Sequence, residues 1–241
     1  HSPNYYAMFG IQAADGHHNN ELQSYELFKG GRSFQNYTMR WLDNYEFRQE
    51  QIGNNNFLKV AGVRYILFPT KEGAFLLENS SALDRAFIVH DFITTASDTL
   101  AVEKLKESTF DPAHTAIISG PCDVKLPGAG EGPYTDKVNK IEPVRDAISL
   151  DIETSAAGLL ILTENHVPYW HADVDGEPVK IYRAYGTFMA VPCPAGRHRI
   201  TFTFRSSPYE TGKKVTVASL LVIMAVLGIS GVLTGMVKGK G

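Results

Sequence analysis

The feature that most constrains this chain is its end: between Val215 and Val237 no residue is charged, and nearly every position is Val, Leu, Ile, Ala, Met, Gly, Ser or Thr. A helix of about 23 residues rises about 34 Å, enough to cross the hydrocarbon core of a bilayer with some tilt. Lys213 and Lys214 stand before the run, and Lys238 and Lys240 after it, where they can reach headgroups. A buried helix of a soluble domain rarely runs so long without a polar stripe, and a signal peptide is excluded by position. One membrane helix over 215–237 is therefore expected, preceded by a water-soluble region of roughly 210 residues. Two lysines on each flank leave the positive-inside rule silent about orientation.

The whole chain has a mean hydropathy of -0.14. Since its end is strongly apolar, the remainder must be polar enough for water. The net charge of -3 gives no electrostatic case for nucleic acid. The two cysteines, Cys122 and Cys193, are no disulfide framework, though one bridge is open to them in an oxidising compartment. Cys193, between two prolines in a strand-like context, reads as a small apolar residue. The chain opens at His1 without a leader, as expected of a fragment whose upstream part is missing.

The first 120 residues read as a mixed α/β subdomain. Helical patterns cover Asn20–Lys29, closed by Gly30-Gly31, and Asn56–Ala61, closed by Gly62. Val63–Phe68 and Arg85–Phe92 read as strands, and Ser97 or Asp98 can cap a helix running to about Glu107. Residues 121–142, crowded with Pro, Gly and charge, read as a linker or long loop. Over 143–212 the pattern is β. Ile148, Leu150 and Ile152 alternate with polar neighbours, and Gly158–Thr163 is an apolar run suited to a fully covered strand. Trp170–Val174 leads into Asp175-Gly176, a strong hairpin signal, with Val179–Arg183 returning. Thr187–Val191 and Arg199–Phe204 read as a pair around Pro194-Ala195-Gly196. The expected fold class is α+β: an α/β subdomain, an antiparallel β-sandwich, then the terminal transmembrane helix.

Few residues suggest chemistry. Asp15, His17 and His18 lack spaced third and fourth metal ligands, so no metal site is expected. The glycines of Gly128–Pro133 lack the flanking strand, helix and Lys-Ser/Thr ending of a phosphate loop, and no cofactor motif occurs elsewhere. Asp173 and Asp175 could form an acid pair, but the turn claims Asp175. No Ser or Cys sits in a nucleophile context, and no catalytic residue is expected in this chain. Tyr169, Trp170, Tyr182 and Tyr185 could stack on sugar rings; alternatively Trp170 fills the sandwich core. Gly231 and Gly235 form a GxxxG that either packs helices or reflects the ordinary abundance of glycine in membrane helices. The sequons at Asn36 and Asn79 matter only in a eukaryotic secretory pathway.

The segment Trp170-His171-Ala172-Asp173-Val174-Asp175-Gly176-Glu177-Pro178-Val179, followed by Val191-Pro192-Cys193-Pro194-Ala195-Gly196-Arg197-His198, resembles the C-terminal region of bacterial YfhO-type membrane proteins. There a "GW…VDGKP" hairpin precedes a "VPAGxH" turn, an aromatic strand and a terminal membrane helix. Gly16-His17-His18, Gly62–Leu67, Leu83–Phe87 and Phe110-Asp111-Pro112 fit the same pattern in order. Tyr169 departs from the family's usual Gly, and His17 from a frequent Tyr, which weakens any fixed role for those side chains. The resemblance implies a C-type glycosyltransferase: a many-pass enzyme that takes sugar from a polyprenyl-phosphate donor on the outer face of the bacterial cytoplasmic membrane. Its catalytic carboxylate lies in an early external loop that this chain lacks. The fragment would then be an extracytoplasmic acceptor platform or lid, partnered by lipid, by the missing upstream helices and by glycan or the lipid-linked sugar. The alternative is a non-catalytic carbohydrate-binding or scaffolding module of a membrane protein.

Overall fold

The computed structural model describes residues 14, 22–29, 53–70, 73–126, 133–144 and 146–238; for 68–70, 74 and 229–238 only the backbone is described. His17, His18, the sequon at Asn36 and the glycine-rich 128–132 stretch lie outside the described residues. The chain divides into two compact units, His1–Thr203 and Phe204–Gly241.

The first unit is built on two sheets. One has five strands in the order β10-β9-β13-β7-β6: β6 (Asp136–Val144), β7 (Ala147–Thr154), β9 (Trp170–Val174), β10 (Glu177–Val179) and β13 (Gly196–Phe204). The other has six, in the order β3-β8-β12-β11-β5-β4: β3 (Ala86–Val89), β4 (Asp91–Thr95), β5 (Thr115–Ser119), β8 (Gly158–Asn165), β11 (Tyr182–Ala184) and β12 (Phe188–Cys193). A separate hairpin pairs β1 (Tyr65–Thr70) with β2 (Gly73–Glu78). The expected mixed α and β composition with sandwiched sheets is what forms.

Side-chain alternation explains the layering. Along β7, Ile148, Leu150 and Ile152 are buried between the two sheets, together with Ile200 and Phe202 of β13. On β8, Leu160 and Leu162 join that inter-sheet core, while Leu159 and Ile161 point to the opposite face. The period of two thus sends successive residues of one strand into two different cores. This is why Gly158–Thr163 reads as a continuous apolar run: the strand is covered on both faces. Each such fully buried Leu or Ile contributes about 1.5–3 kcal/mol of burial free energy.

The second core lies under α1 (Gln23–Lys29), α2 (Asn56–Val60) and α3 (Asp98–Leu105), which supply Phe28, Val60, Ala101 and Leu105. Ser97 caps α3 by accepting from the Leu100 N–H at 3.3 Å, and Asn55 caps α2 through the N–H groups of Phe57 and Leu58. The buried Asn56 amide donates to the carbonyls of Leu105 (3.1 Å), Glu107 (3.3 Å) and Phe110 (2.9 Å), satisfying groups orphaned where α3 ends. Leu100 of this helix is 51% exposed, while Ala101, Val102 and Leu105 take the buried face.

Several expectations need correction. Arg85–Phe92 is not one strand: it breaks at His90 into β3 and β4, which sit at opposite ends of the six-stranded order. The sheet is therefore curled, its two edges separated in sequence by one residue. β12 and β13 do not pair with each other; β12 pairs with β8 and β11, β13 with β7, so Pro194-Ala195 carries the chain between sheets. Likewise β10 returns on β9 only to Val179, and β11 belongs to the other sheet. Residues 136–142, read as the tail of a loop, belong to β6 on the edge of the five-stranded sheet. Strands from both sides of 121–142 share the six-stranded sheet. Cys122 and Cys193 are both free, and burial pushes the Cys193 thiol up to about 12.

The second unit is dominated by α4 (Ser207–Lys238), of which Ser207–Gly228 is long and apolar enough to cross a membrane, with its apolar side chains exposed. Two of its hydroxyls are satisfied within the helix, Thr216 donating to the Gly212 carbonyl and Ser219 to that of Val215, both at 2.9 Å. Gly231 and Gly235 are on this helix but outside the residues whose side chains are described.

Candidate functional site

The four aromatic residues singled out from sequence separate sharply. Tyr185 is wholly buried, and its hydroxyl donates to the carbonyls of Pro112 (2.9 Å) and Thr115 (3.3 Å). Burial drives its phenol well above the usual range. Such a ring has no face left for a ligand; it anchors the helical core. Tyr182 is 7% exposed and donates to the Asp123 carboxylate. Burial first, and this hydrogen bond second, push its phenol up to about 12. Tyr169 and Trp170 are half-buried, at the start of β9.

Trp170 has one side on the core and another on a surface groove. It packs against the inter-sheet core. It also lines a groove of about 240 Å³ with His166, His171, Pro178, Val179 and Ile181. The β9–β10 hairpin forms one wall. Its Asp175-Gly176 turn has positive φ at both residues (54° and 89°), and Val174 pairs with Glu177, the two-residue geometry that this dipeptide favours. The turn of Val167–Trp170, closed by the Trp170 N–H on the Val167 carbonyl at 3.2 Å, brings His166 to the same groove.

Sequence reasoning did not single out the polar side of this groove. His166 Nδ1 lies 3.4 Å from Arg183 Nη2, and Arg183 Nη1 is 2.5 Å from Asp98. Burial, then the Arg183 charge, hold His166 below the usual histidine range. His171 Nδ1 lies 3.2 Å from the Tyr169 carbonyl. Two histidines five residues apart carry no recognisable motif; only the intervening turn makes them neighbours of one cavity.

Elsewhere, Asp175 accepts from the Arg199 N–H at 2.8 Å and faces His198, so it serves the turn as expected. Asp173 accepts from the Gly176 N–H at 3.2 Å. Neither leaves a paired acid and base. Asn79 is 2% exposed and its amide donates to the Val63 carbonyl at 3.0 Å. Among the described residues no group of three His, Cys, Asp or Glu side chains is placed to hold a metal ion.

Comparison with curated proteins and with solved structures finds no match. Residues 135–216 match the family described as bacterial membrane protein YfhO. That segment runs from the start of β6 into α4 and contains the groove, the β9–β10 hairpin and the Asp175–His198 contact. The resemblance read from sequence is borne out there, and with the apolar α4 it makes this chain part of a membrane protein.

Proposed function

We propose that this chain is the extracytoplasmic C-terminal part of a polytopic bacterial glycosyltransferase that uses a polyprenyl-phosphate sugar, and that it acts as acceptor platform or lid. The observation that carries the reading is the YfhO match over 135–216, which encloses a groove with a half-buried tryptophan. An indole face suits the C–H face of a pyranose. In this reading the catalytic carboxylate sits in an upstream external loop. The lipid phosphate is held by several helices, because α4 offers no ionisable side chain between Val215 and Val237. Gly231 and Gly235 would let one of those helices approach α4 closely. The soluble unit faces outward and Gly241 lies in the cytoplasm.

The test is transfer of labelled sugar from a polyprenyl-phosphate donor, comparing the purified fragment with the full-length protein in the same lipid. Transfer by the full-length protein alone is expected. Turnover by the fragment at a comparable rate would place the active site in this half. Absence of transfer by both, with glycan still bound, would favour the second reading, a non-catalytic carbohydrate-binding or scaffolding module, which the groove also supports. Protease added to intact cells, or to spheroplasts, should digest the soluble unit; protection until lysis would reverse the topology.

A further inference from the structure

The hydrogen bonds around the Trp170 groove fix which atoms its two histidines can offer a ligand. A guanidinium only donates, so the contact of Arg183 Nη2 with His166 Nδ1 at 3.4 Å makes Nδ1 the acceptor. The ring proton of neutral His166 is then on Nε2, a donor. A carbonyl only accepts, so the 3.2 Å contact of His171 Nδ1 with the Tyr169 oxygen puts the proton of neutral His171 on Nδ1. Its Nε2 is then an acceptor. The burial and positive neighbour that hold His166 down keep it neutral at physiological pH.

Among the described residues no Asp, Glu, Lys or Arg lines the groove, and the Arg183 charge behind it is met by Asp98 at 2.5 Å. An ionic ligand would find no counter-charge on the lining. What the lining provides is one aromatic face, aliphatic walls from Val179 and Ile181, one donor and one acceptor. A hydroxyl both donates and accepts, and a pyranose joins several hydroxyls to an apolar C–H face. At about 240 Å³ the groove is below the usual range for drug-sized ligands, a size suited to one ring.

We propose that this groove is a subsite for one uncharged pyranose ring, stacked on Trp170, with one hydroxyl accepting from His166 Nε2 and another donating to His171 Nε2. The assignment rests on the saccharide reading above and makes it specific: uncharged sugars enter and uronic acids do not.

The experiment is saturation-transfer NMR on the whole chain in lipid nanodiscs. The probes are the methyl glycosides of glucose, galactose and N-acetylglucosamine, with methyl glucuronide as the charged comparator. Transfer to the ring C–H protons of at least one neutral glycoside is expected, with the glucuronide at least tenfold weaker. Trp170→Ala should abolish the signal. Trp170→Phe, which retains a ring and the core packing, should keep part of it. His171→Leu, at an exposed position, should weaken binding about fivefold, the usual worth of one hydrogen bond. Failure of all three neutral glycosides, equal binding of the glucuronide, or unchanged binding by Trp170→Phe and His171→Leu would overturn the subsite. Binding through Trp170 without sugar transfer by the full-length protein would leave the subsite standing and remove the transferase reading. Transfer unaffected by Trp170→Phe and His171→Leu would do the reverse.

Discussion

The Asp175 carboxylate faces His198 Nδ1 at 2.6 Å, joining the tip of the β9–β10 hairpin to the start of β13. The other ring nitrogen, Nε2, lies 3.1 Å from the Ala195 carbonyl. Since carboxylate and carbonyl both accept, the arrangement is complete when the imidazole carries both protons. Two turns separated by some twenty residues in the sequence are thereby held as one unit.

The pH dependence of this contact follows. The hydrogen bond that His198 donates to the Asp175 carboxylate raises His198 above its ordinary 6.5 and lowers Asp175 below its ordinary 3.8. For the raised histidine, the stabilisation is fully present below about pH 6.5 and is lost as pH rises through the folded value. For the lowered carboxylate it is present above about pH 3.8 and is lost as pH falls through the folded value. The contact should therefore be strongest between those limits. An NMR titration of His198 should give a value above that of a free imidazole, and Asp175→Asn should bring it down. An unshifted His198 in the wild-type chain would contradict the assignment.

Gly158 is a packing requirement. A Cβ built there would lie 2.6 Å from Ile88 Cγ2, 3.0 Å from the Val89 carbonyl and 3.2 Å from His90 Cε1. The Ile88 methyl can turn aside, but the Val89 carbonyl belongs to the paired strand and has little freedom. Gly158→Ala should destabilise the soluble unit by about 1–3 kcal/mol, the usual cost of overpacking. Denaturant unfolding of a version ending at Gly212 measures it, and a variant as stable as the parent would show that β3 yields easily.

Tyr185→Phe separates a core role from a ligand role. The substitution keeps the ring but strips the hydroxyl from two acceptors, leaving the buried Pro112 carbonyl and the part-buried Thr115 carbonyl short of a donor. A loss of about 1–3 kcal/mol in unfolding free energy is expected, with glycoside binding unchanged. A variant that unfolds normally but loses glycoside would restore Tyr185 to the candidate site.

The strands themselves were legible because burial imposes a period. Ile148, Leu150 and Ile152 declared one covered face, and the unbroken Gly158–Thr163 run declared two. Sheet membership was not legible. Pro194-Ala195-Gly196 offers the same chemistry whether the chain turns back on its own strand or crosses to the facing sheet. Only long-range pairing with β7 and β8 decides. His90-Asp91 is a polar pair between the apolar runs Ala86–Val89 and Phe92-Ile93, a pattern that fits one continuous strand as well as the bend that curls the six-stranded sheet. The bend carries a tertiary contact that sequence does not show: His90 Nδ1 meets the Ala157 carbonyl and Nε2 meets Asp136, both at 2.9 Å. Of the site, Trp170 was readable from its hairpin. The burial of Tyr182 and Tyr185 is not legible, because an aromatic side chain alone does not say whether it fills a core or faces a ligand.

The last prediction concerns α4. Its described apolar side chains are exposed around the helix, Val215 at 59%, Leu221 at 57% and Val226 at 56% among them. Water would penalise such a surface over more than twenty residues, whereas hydrocarbon accepts it. The polar atoms agree with that solvent: Thr216 and Ser219 donate their hydroxyls to carbonyls of the same helix, which suits them to lipid. The intact chain should therefore remain in the pellet after alkaline carbonate washing, and a version ending at Gly212 should appear in the supernatant. Val226→Arg, near the middle of the uncharged run, adds about 2.5–3.5 kcal/mol to the cost of insertion and should shift part of the population out of the membrane. Recovery of the intact wild-type chain in the wash would mean that another protein, not lipid, covers this helix.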